Sequence, residues 1–272
     1  MYSPMICDVQ SPSLAHFGAF SASAAPLYQR DRLQTPGYAS VVNVQPVGDG
    51  ADWVANGAAL RAALSSATAG PNQRCLVRLA AGVFDLGTQP LPMRAFVDLE
   101  GAGETSTRLL AQVGRSDGGT IVGADDAELR CLSVSNIGGG ECAIAIYNNA
   151  CSPRLSYVHV EASGGLSNYA IYNTRGAAPQ MAHVNAIAAG RRCNIGIFND
   201  SAAPSMRHVS AMAAGGALNY GLYNCNGAKP ILAYVAVTAA GGERNVGVFN
   251  DQGSAPNLAS VTARALGGVS SV

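Results

Sequence analysis

Short apolar runs separated by glycine, proline and asparagine follow one another through the second half of the chain. Runs such as 144–146 and 155–160 have the length of a β-strand, are rich in β-branched residues and alternate along the backbone. They lack the apolar spacing of 3.6 residues, sustained over ten or more positions, that an amphipathic helix requires. The pattern therefore predicts a series of short β-strands joined by tight turns.

These runs belong to a repeat that three independent markers keep in register. An aromatic residue followed by asparagine recurs at successive spacings of 25, 26, 25 and 26 residues. The pairs are Tyr147–Asn148, Tyr172–Asn173, Phe198–Asn199, Tyr223–Asn224 and Phe249–Asn250. The prolines that follow them are Pro153, Pro179, Pro204, Pro230 and Pro256, and the small-residue turns that close the units are 164–165, 189–190, 215–216, 241–242 and 267–268. Such self-similarity indicates a solenoid.

A longer period is superimposed on the shorter one. The segment NYAIYN at 168–173 returns as NYGLYN at 219–224, and NIGIFND at 194–200 returns as NVGVFND at 245–251. Both pairs lie 51 residues apart, which indicates that a block of two units was duplicated.

About 25 residues that hold two or three short strands and no helix have the size of one coil of a parallel β-helix, whose coils rise by about 4.8 Å. The LxxLxL-and-Asn signature of a leucine-rich repeat is absent. Strand-like runs at 75–79, 82–86, 96–101, 121–123 and 129–134 extend the solenoid upstream. Asp52 is placed to cap a helix through Trp53, Leu60 and Leu64, which would cover the open edge of the first coil.

The fold class predicted from these patterns is all-β. We expect a right-handed parallel β-helix over residues 41–272, with a capping helix at about 52–66 and regular coils from about 119 to 272. Residues 1–40 are expected to form an N-terminal extension of unknown structure.

The upstream segments resemble the opening of pectate-lyase-like β-helix proteins. They read GDGADWVANGAALRAAL, LVRLAAGVFDLG and FVDLEGAGETSTRLL. In that superfamily a GDG-plus-helix segment, a P-x-G-x-Y strand and an L-x-G-x-G-x-x-x-T strand begin the solenoid; here Ala81 replaces the proline and Phe84 the tyrosine. The later YN…SP…V…GG units are similar to repeats in bacterial and phage-tail-associated β-helix proteins. The resemblance implies a fold rather than one activity, because the superfamily includes lyases, hydrolases, epimerases, adhesins and tail spikes.

Composition narrows the class of function. Acidic and basic residues number 17 each, so a basic surface for nucleic acid is not expected. Only 12% of the residues are charged and 32 are glycine, which suits thin repeated layers. No apolar stretch approaches the roughly 18 residues of a membrane span, and the N-terminus lacks the pattern of a secretory signal. We expect no membrane contact, no metal and no cofactor.

Seven cysteines, an odd number without framework spacing, predict reduced thiols rather than disulfides or a zinc site. Reduced thiols favour synthesis in a reducing compartment such as the cytoplasm, and they leave a virion-associated or surface location open.

In a β-helix, equivalent residues of successive coils form columns, and inward and outward positions alternate along each strand. The aliphatic column Ile146, Ile171, Ile197, Leu222 and Val248 is expected to face inward. The asparagine of each repeated pair is expected to hydrogen-bond from coil to coil. The aromatic residue of each pair has the parity opposite to the aliphatic column, and two interpretations stay open: packing within the solenoid, or an exposed strip that stacks on sugar rings or a partner.

The segment after each proline carries the richest chemistry. Tyr157, His183, His208 and Tyr234 are expected to form an outward line, and a second line begins at His159 and continues with Asn185, with Glu161 beside it. Three of the four histidines would share this face, where they could transfer protons near neutral pH. The candidate catalytic residues are His183, His208, His159, Glu161 and Tyr157, and the candidate substrate-binding residues are Tyr234, Asn185, Arg154 and Arg207. A solvated polar face without a function is the alternative.

Carboxylates are scarce for glycoside hydrolysis, which needs two of them at a set distance. The densest local group is Asp125, Asp126, Glu128 and Arg130. The five regular coils also lack the long inserted loops that wall substrate clefts on other β-helices.

Three functions therefore remain open. The first is a recognition or structural module, adhesin-like or tail-spike-like, that presents a flat lateral face to a glycan or protein surface. The second is a carbohydrate-active enzyme, a lyase, hydrolase or epimerase, that uses the Tyr/His/Glu face. The third is a self-assembling scaffold whose homo-oligomers form through the solenoid ends or the lateral face.

Overall fold

The computed structural model describes residues 37–271, so most of the predicted 1–40 extension lies outside the described range. The described residues form a right-handed parallel β-helix of about 8 turns with a single N-terminal helix, which confirms the predicted fold class. Within this range no helix has the length and apolar character needed to cross a membrane.

The N-terminal elements are shorter than those of the regular coils. They are β1 (Ser40–Val44), α1 (Trp53–Ser66), β2 (Cys75–Leu79), β3 (Gly82–Asp85), β4 (Leu91–Pro92), β5 (Val97–Glu100), β6 (Thr107–Ala111) and β7 (Ile121–Val122). The strands that follow are β8 (Glu128–Asn136), β9 (Gly140–Asn149), β10 (Arg154–Ser163), β11 (Gly165–Thr174), β12 (Gln180–Ala189), β13 (Cys193–Asp200), β14 (Ser205–Ala214), β15 (Leu218–Cys225), β16 (Ile231–Ala240), β17 (Arg244–Asn250), β18 (Asn257–Leu266) and β19 (Ser270–Ser271).

Two parallel sheets form the walls of the solenoid. The eleven-stranded sheet follows the order β1-β2-β5-β8-β10-β12-β14-β16-β18, with β3 and β6 paired beside this path. The eight-stranded sheet follows the order β4-β7-β9-β11-β13-β15-β17-β19. Equivalent residues of successive coils pair directly, as in Val158 with Val184 and Ile171 with Ile197. The predicted columns are therefore real, and the aliphatic one belongs to the main core.

Helix α1 covers the first coil. The Asp52 carboxylate accepts a hydrogen bond from the Ala55 N–H at 2.9 Å and so caps the helix, as predicted. Leu60 and Leu64 are buried, whereas Trp53, at the first helical position, stays 49% exposed. The Arg94 guanidinium donates to carbonyl oxygens at the other end of the helix, which lack partners within it.

Each long strand of the eleven-stranded sheet bends at a single residue. The bend residues are Cys131, Tyr157, His183, His208, Tyr234 and Ser260, whose φ angles lie between 52° and 56°. A left-handed backbone costs a residue with a side chain roughly 1–2 kcal/mol. The bend turns the strand and changes the direction of the side chains before and after it.

A column of small residues lets the two sheets approach closely. It comprises Ala145, Ala170, Gly196, Gly221 and Gly247, and these positions have no paired partner in the register of the eight-stranded sheet. A Cβ on Gly221 would lie 2.2 Å from the Val237 Cγ1 atom of the opposite sheet. The inward–outward alternation shifts by one residue at this column, which decides which aromatic residues face outward.

Two ladders of buried asparagine side chains join the coils. In the predicted ladder Asn148, Asn173, Asn199, Asn224 and Asn250 are linked by amide hydrogen bonds of 2.8 Å. A second ladder, which the sequence analysis missed, links Asn168, Asn194, Asn219 and Asn245 at 2.9 Å. The sequence did contain a sign of this second ladder, because its asparagines are the first residues of the duplicated NYAIYN and NIGIFND motifs.

Candidate functional site

Four of the predicted site residues form a stack of rings along the bend. The ring centroids of Tyr157 and His183 are 4.5 Å apart, those of His183 and His208 are 5.0 Å apart, and those of His208 and Tyr234 are 5.0 Å apart. The planes differ by only 7°, 12° and 8°, respectively. We call these four residues the ring ladder. Because each ring covers the face of the next, the ladder presents mainly ring edges to solvent.

The electrostatics around His183 favour its neutral imidazole. Burial lowers the pKa of His183, and the nearby His208 and Arg207 lower it further. Two parallel rings 5.0 Å apart also cannot both reach one ion at the roughly 2.0–2.1 Å of a zinc–nitrogen bond without turning. Among residues 37–271 no group of three or more His, Cys, Asp or Glu side chains is arranged to hold a metal.

His159 lies on the strand segment after the bend, and its hydrogen-bond partner is not a ring of the ladder. The Asn185 amide donates to its Nδ1 atom at 3.2 Å, which leaves the proton of the neutral ring on Nε2. Burial lowers the pKa of His159, while Glu161 raises it and Arg108 lowers it. The predicted Tyr/His/Glu face thus divides into the ring ladder and a second group around His159.

The two arginines predicted to bind substrate lie on the segment before the bend. Arg154 pairs in register with Gln180 and Glu128, and Arg207 pairs with Ala182 and is exposed. Arg207 lies close enough to the ring ladder to affect His183 electrostatically. Both guanidinium groups are available at the surface for a ligand.

The carboxylates of the N-terminal coils are held in a network around Arg130. This guanidinium donates to Glu100 and Glu128 at 2.7 and 2.8 Å, and to the Tyr38 hydroxyl at 2.9 Å. Burial raises the pKa of Glu100, but the bonds from Arg130 and Arg78 outweigh it, so that the pKa lies below its usual value. Each of these carboxylates has a structural partner.

Asp98 is fully buried beneath the same network. It accepts hydrogen bonds from Tyr38 at 2.7 Å and from Arg74 at 2.5 Å. Burial, followed by the bond to Asp98, raises the pKa of Tyr38 to about 12. Asp125 instead accepts from the Ser152 N–H in an exposed turn. The acidic group noted in the sequence therefore contributes to turns and ion pairs rather than to a carboxylate pair facing a cleft.

The aromatic residue of each repeated pair lies on the outer face of the eight-stranded sheet, away from the main core. This first file comprises Tyr147, Tyr172, Phe198, Tyr223 and Phe249, whose centroids are 4.8–5.5 Å apart in successive coils. The rings meet edge to face, at angles between 62° and 81°, so that parts of their faces stay accessible. The rings therefore pack on one another and also line the surface, while stacking on a sugar or a partner stays a prediction.

A second file of outward residues lies beside the first. It consists of Tyr169, Ile195, Tyr220 and Val246, which form a separate apolar cluster with Phe198, Tyr223 and Phe249 of the first file. Tyr169 and Tyr172 both face outward although they are three residues apart, because the small-residue column shifts the alternation between them. We call the two files together the aromatic strip. Burial raises the pKa of Tyr223 to about 12, so the strip is uncharged near neutral pH.

Neither candidate surface coincides with the two depressions found near the N-terminal end of the described residues. One of these depressions is lined by residues 69–73 and the other by Arg61, Leu91 and Arg94. The aromatic strip and the ring ladder therefore offer lateral faces, as the loop-free repeat predicts.

Comparison with known proteins finds only distant structural neighbours. No family model matches the chain, and no curated protein matches it. Among solved structures, the pectin methylesterase from Erwinia chrysanthemi has 12% identity and a TM-score of 0.43, with coverage of 80% of this chain and 90% of that one. The mannuronan C-5 epimerase A-module from Azotobacter vinelandii has 11% identity and a TM-score of 0.30, with coverage of 84% and 96%.

An alginate lyase from Paenibacillus has 12% identity and a TM-score of 0.29, with coverage of 80% of this chain and 99% of that one. At these identities and TM-scores the likeness is one of fold, and it transfers no substrate to this chain.

Proposed function

We propose that the protein recognises a linear polysaccharide along the aromatic strip. The observation that carries the proposal is an unbroken file of five outward rings, one in each coil. Sugar rings have one or both faces covered by C–H groups, which pack on aromatic faces. Apolar patches that stay accessible on a folded protein commonly mark the place where a ligand binds.

The shape of the strip favours a linear ligand. Rings recur at each rise of about 4.8 Å along the solenoid axis, so an extended chain of sugars can lie along the axis and contact several rings at once. The sheet beneath holds the rings in fixed positions, which lowers the entropic cost of binding.

The limited exposure of the strip argues against a folded protein as the partner. Tyr147 and Tyr220 are each only 8% exposed, and the other rings are partly buried. A stable protein interface takes about 800 Å² from each partner. A narrow glycan chain needs much less surface.

The proposal is tested by binding of the full chain to a panel of soluble polysaccharides, measured by affinity electrophoresis and titration calorimetry. Tyr223→Ala removes a central ring and is expected to weaken binding about 5- to 10-fold, since an aromatic contact contributes about 1 kcal/mol. Tyr223→Phe retains the ring and serves as the matched control. Tyr234→Ala removes an exposed ring of the ring ladder and should leave binding unchanged. Parent affinity in Tyr223→Ala would reject the strip as the binding surface.

A carbohydrate-active enzyme is the second candidate, and the group around His159 favours it. Asn185 orients a neutral imidazole whose Nε2–H is free to donate, and the Glu161 carboxylate is close enough to affect its pKa. An acid–base pair of this type can transfer protons to and from a sugar.

The enzyme candidate is tested with neutral and uronate-containing polysaccharides, by following new reducing ends and the absorbance of unsaturated products. His159→Ala should abolish turnover, and Asn185→Ala should shift the pH profile of activity. Turnover that survives in His159→Ala would exclude this group as the site. Self-assembly, the third function considered, stays a prediction.

A further inference from the structure

The aromatic strip repeats after two coils rather than one. From Tyr172 onward the first file reads Tyr172, Phe198, Tyr223, Phe249 and the second reads Tyr169, Ile195, Tyr220, Val246, so that both alternate over these four coils, whereas Tyr147 lies before the alternation begins. This period follows from the 51-residue duplication, because the duplicated block spans two coils. A ligand that lies along the strip therefore meets the same side chains again only after two coils.

The geometry of the rings follows the same period. Tyr169 lies 5.3 Å from Tyr172 and 5.7 Å from Phe198, and the planes differ by 29° and 42°. Two coils further on, the contacts of Tyr220 with Tyr223 and Phe249 are 5.1 and 5.6 Å, at 40° and 47°. The strip is thus composed of two similar three-ring clusters, which are separated by about 9.6 Å, two coil rises.

We infer that the strip selects a linear, neutral polysaccharide whose extended chain repeats after two sugars, with one disaccharide on each three-ring cluster. This inference rests on the proposed function. In 1,4-linked chains with equatorial bonds at both ends of each sugar, successive rings turn over, and the same face and hydroxyl groups return at every second sugar. A 1,4-linked glucose chain with an axial anomeric bond, as in maltohexaose, curves into a helix and leaves a straight strip after a few sugars.

The charges around the strip favour a neutral chain. Asp200 and Asp251 occupy equivalent positions beside the two clusters, and each raises the pKa of a strip tyrosine, Tyr172 or Tyr223. Two arginines lie near the strip: Arg244 is over the rings of the second cluster, 5.9 Å from Tyr220, and Arg175 is close enough to lower the pKa of Tyr147. Asp117 also raises the pKa of Tyr147, so carboxylates balance these guanidinium groups and the strip has no excess of positive charge to hold a polyanion.

The first experiment compares hexasaccharides of different linkage, sugar and charge, with titration calorimetry on the full chain. Cellohexaose and maltohexaose contain the same sugar and the same number of residues, and mannohexaose and xylohexaose of the β-1,4 type extend the first group. At least one β-1,4 hexasaccharide is expected to bind 10-fold or more tightly than maltohexaose and than hexagalacturonate. Equal or reversed preference would overturn the inference.

The second experiment disrupts one three-ring cluster at a time. In each variant the second-file tyrosine is replaced by an aliphatic residue that occupies the equivalent position in another coil. Tyr169→Ile and Tyr220→Val copy Ile195 and Val246 and should each lower the affinity for the hexasaccharide 3- to 10-fold, with a larger loss in the double variant. Each variant should lose the contact between one cluster and one disaccharide of the ligand. Its circular dichroism spectrum should match that of the parent, which shows that the fold is retained.

The outcomes separate the two proposals. If the Tyr169 and Tyr220 variants weaken binding but maltohexaose binds as well as cellohexaose, strip recognition holds and the two-sugar repeat is wrong. If strip variants bind the preferred glycan with parent affinity, the binding surface lies elsewhere and both proposals are wrong. If the parent binds no glycan of the panel, both are also rejected.

Discussion

The first asparagine ladder provides a quantitative test of how the coils are held together. Asn199 lies in its middle, fully buried, where it donates to Asn224 and accepts from Asn173, each at 2.8 Å. In Asn199→Ala both neighbours keep their positions but lose a partner. The amide donor of Asn173 and the amide oxygen of Asn224 are then buried without a hydrogen bond.

The magnitude follows from the number of groups left unpaired. A buried polar group without a partner costs about 1–3 kcal/mol, so two of them predict a loss of about 2–6 kcal/mol in the free energy of unfolding. Asn250→Ala is the matched control, because Asn250 is the exposed end of the ladder and accepts a single bond from Asn224. Water can replace that bond, and the expected loss is about 1 kcal/mol or less.

Guanidinium chloride unfolding, followed by circular dichroism, measures both variants against the parent. The midpoint should fall with little change in the dependence of the free energy on denaturant, because the surface exposed on unfolding stays the same. Equal destabilisation by Asn199→Ala and Asn250→Ala would refute the argument, since Asn199 is buried with two ladder bonds and Asn250 is exposed with one.

Three further predictions concern the packing, the ring ladder and assembly. Gly221→Ala should lower the free energy of unfolding by about 1–3 kcal/mol through overpacking, because the new Cβ atom would lie 2.2 Å from a Val237 carbon. In Gly139→Ala, the control, the new Cβ atom meets no atom within 4 Å and should have little effect in the same denaturation assay. The pKa of His183 is lowered in the folded state. This group should therefore leave the free energy of unfolding unaffected above the ordinary histidine pKa of about 6.5, and that free energy should fall as the pH falls through the lower folded value. His208→Ala should raise the pKa of His183 in an NMR titration, and an unchanged pKa would contradict the coupling. If the chain is a self-assembling scaffold, sedimentation velocity should show a mass that rises with concentration, and a strictly monomeric profile over a wide range would exclude it.

The columns show where the sequence was sufficient. The inward column of Ile171 and its equivalents and the ladder of Asn173 and its equivalents follow from spacing alone, since coils of constant length must place equal positions over one another. The second ladder could have been found in the same way, because Asn168 and Asn219 open a repeated motif. It was missed because an asparagine at the start of a strand has no obligatory role.

The candidate site shows where spacing was insufficient. Strict alternation from Val158 placed Tyr157 and His159 on one face, but the left-handed residue at 157 turns the strand between them. Strict alternation also places Tyr169 and Tyr172 on opposite faces of the sheet. In the structure the pairing is interrupted at Ala170, so the inward–outward alternation shifts by one residue before Tyr172. Both departures are changes in backbone conformation that no shared residue type marks, since cysteine, tyrosine, histidine and serine all occupy the bend.

The sequence by itself determined the parallel β-helix, its coil length, its two-coil duplication and the contents of most columns. These are consequences of periodicity, because a repeated length requires repeated stacking. Only the tertiary structure decided which columns become neighbours on the surface, as in the three-ring clusters and the separation of His159 from the ring ladder. That outcome depends on backbone torsions and on the close approach of the two sheets, which are set by packing between residues distant in the chain.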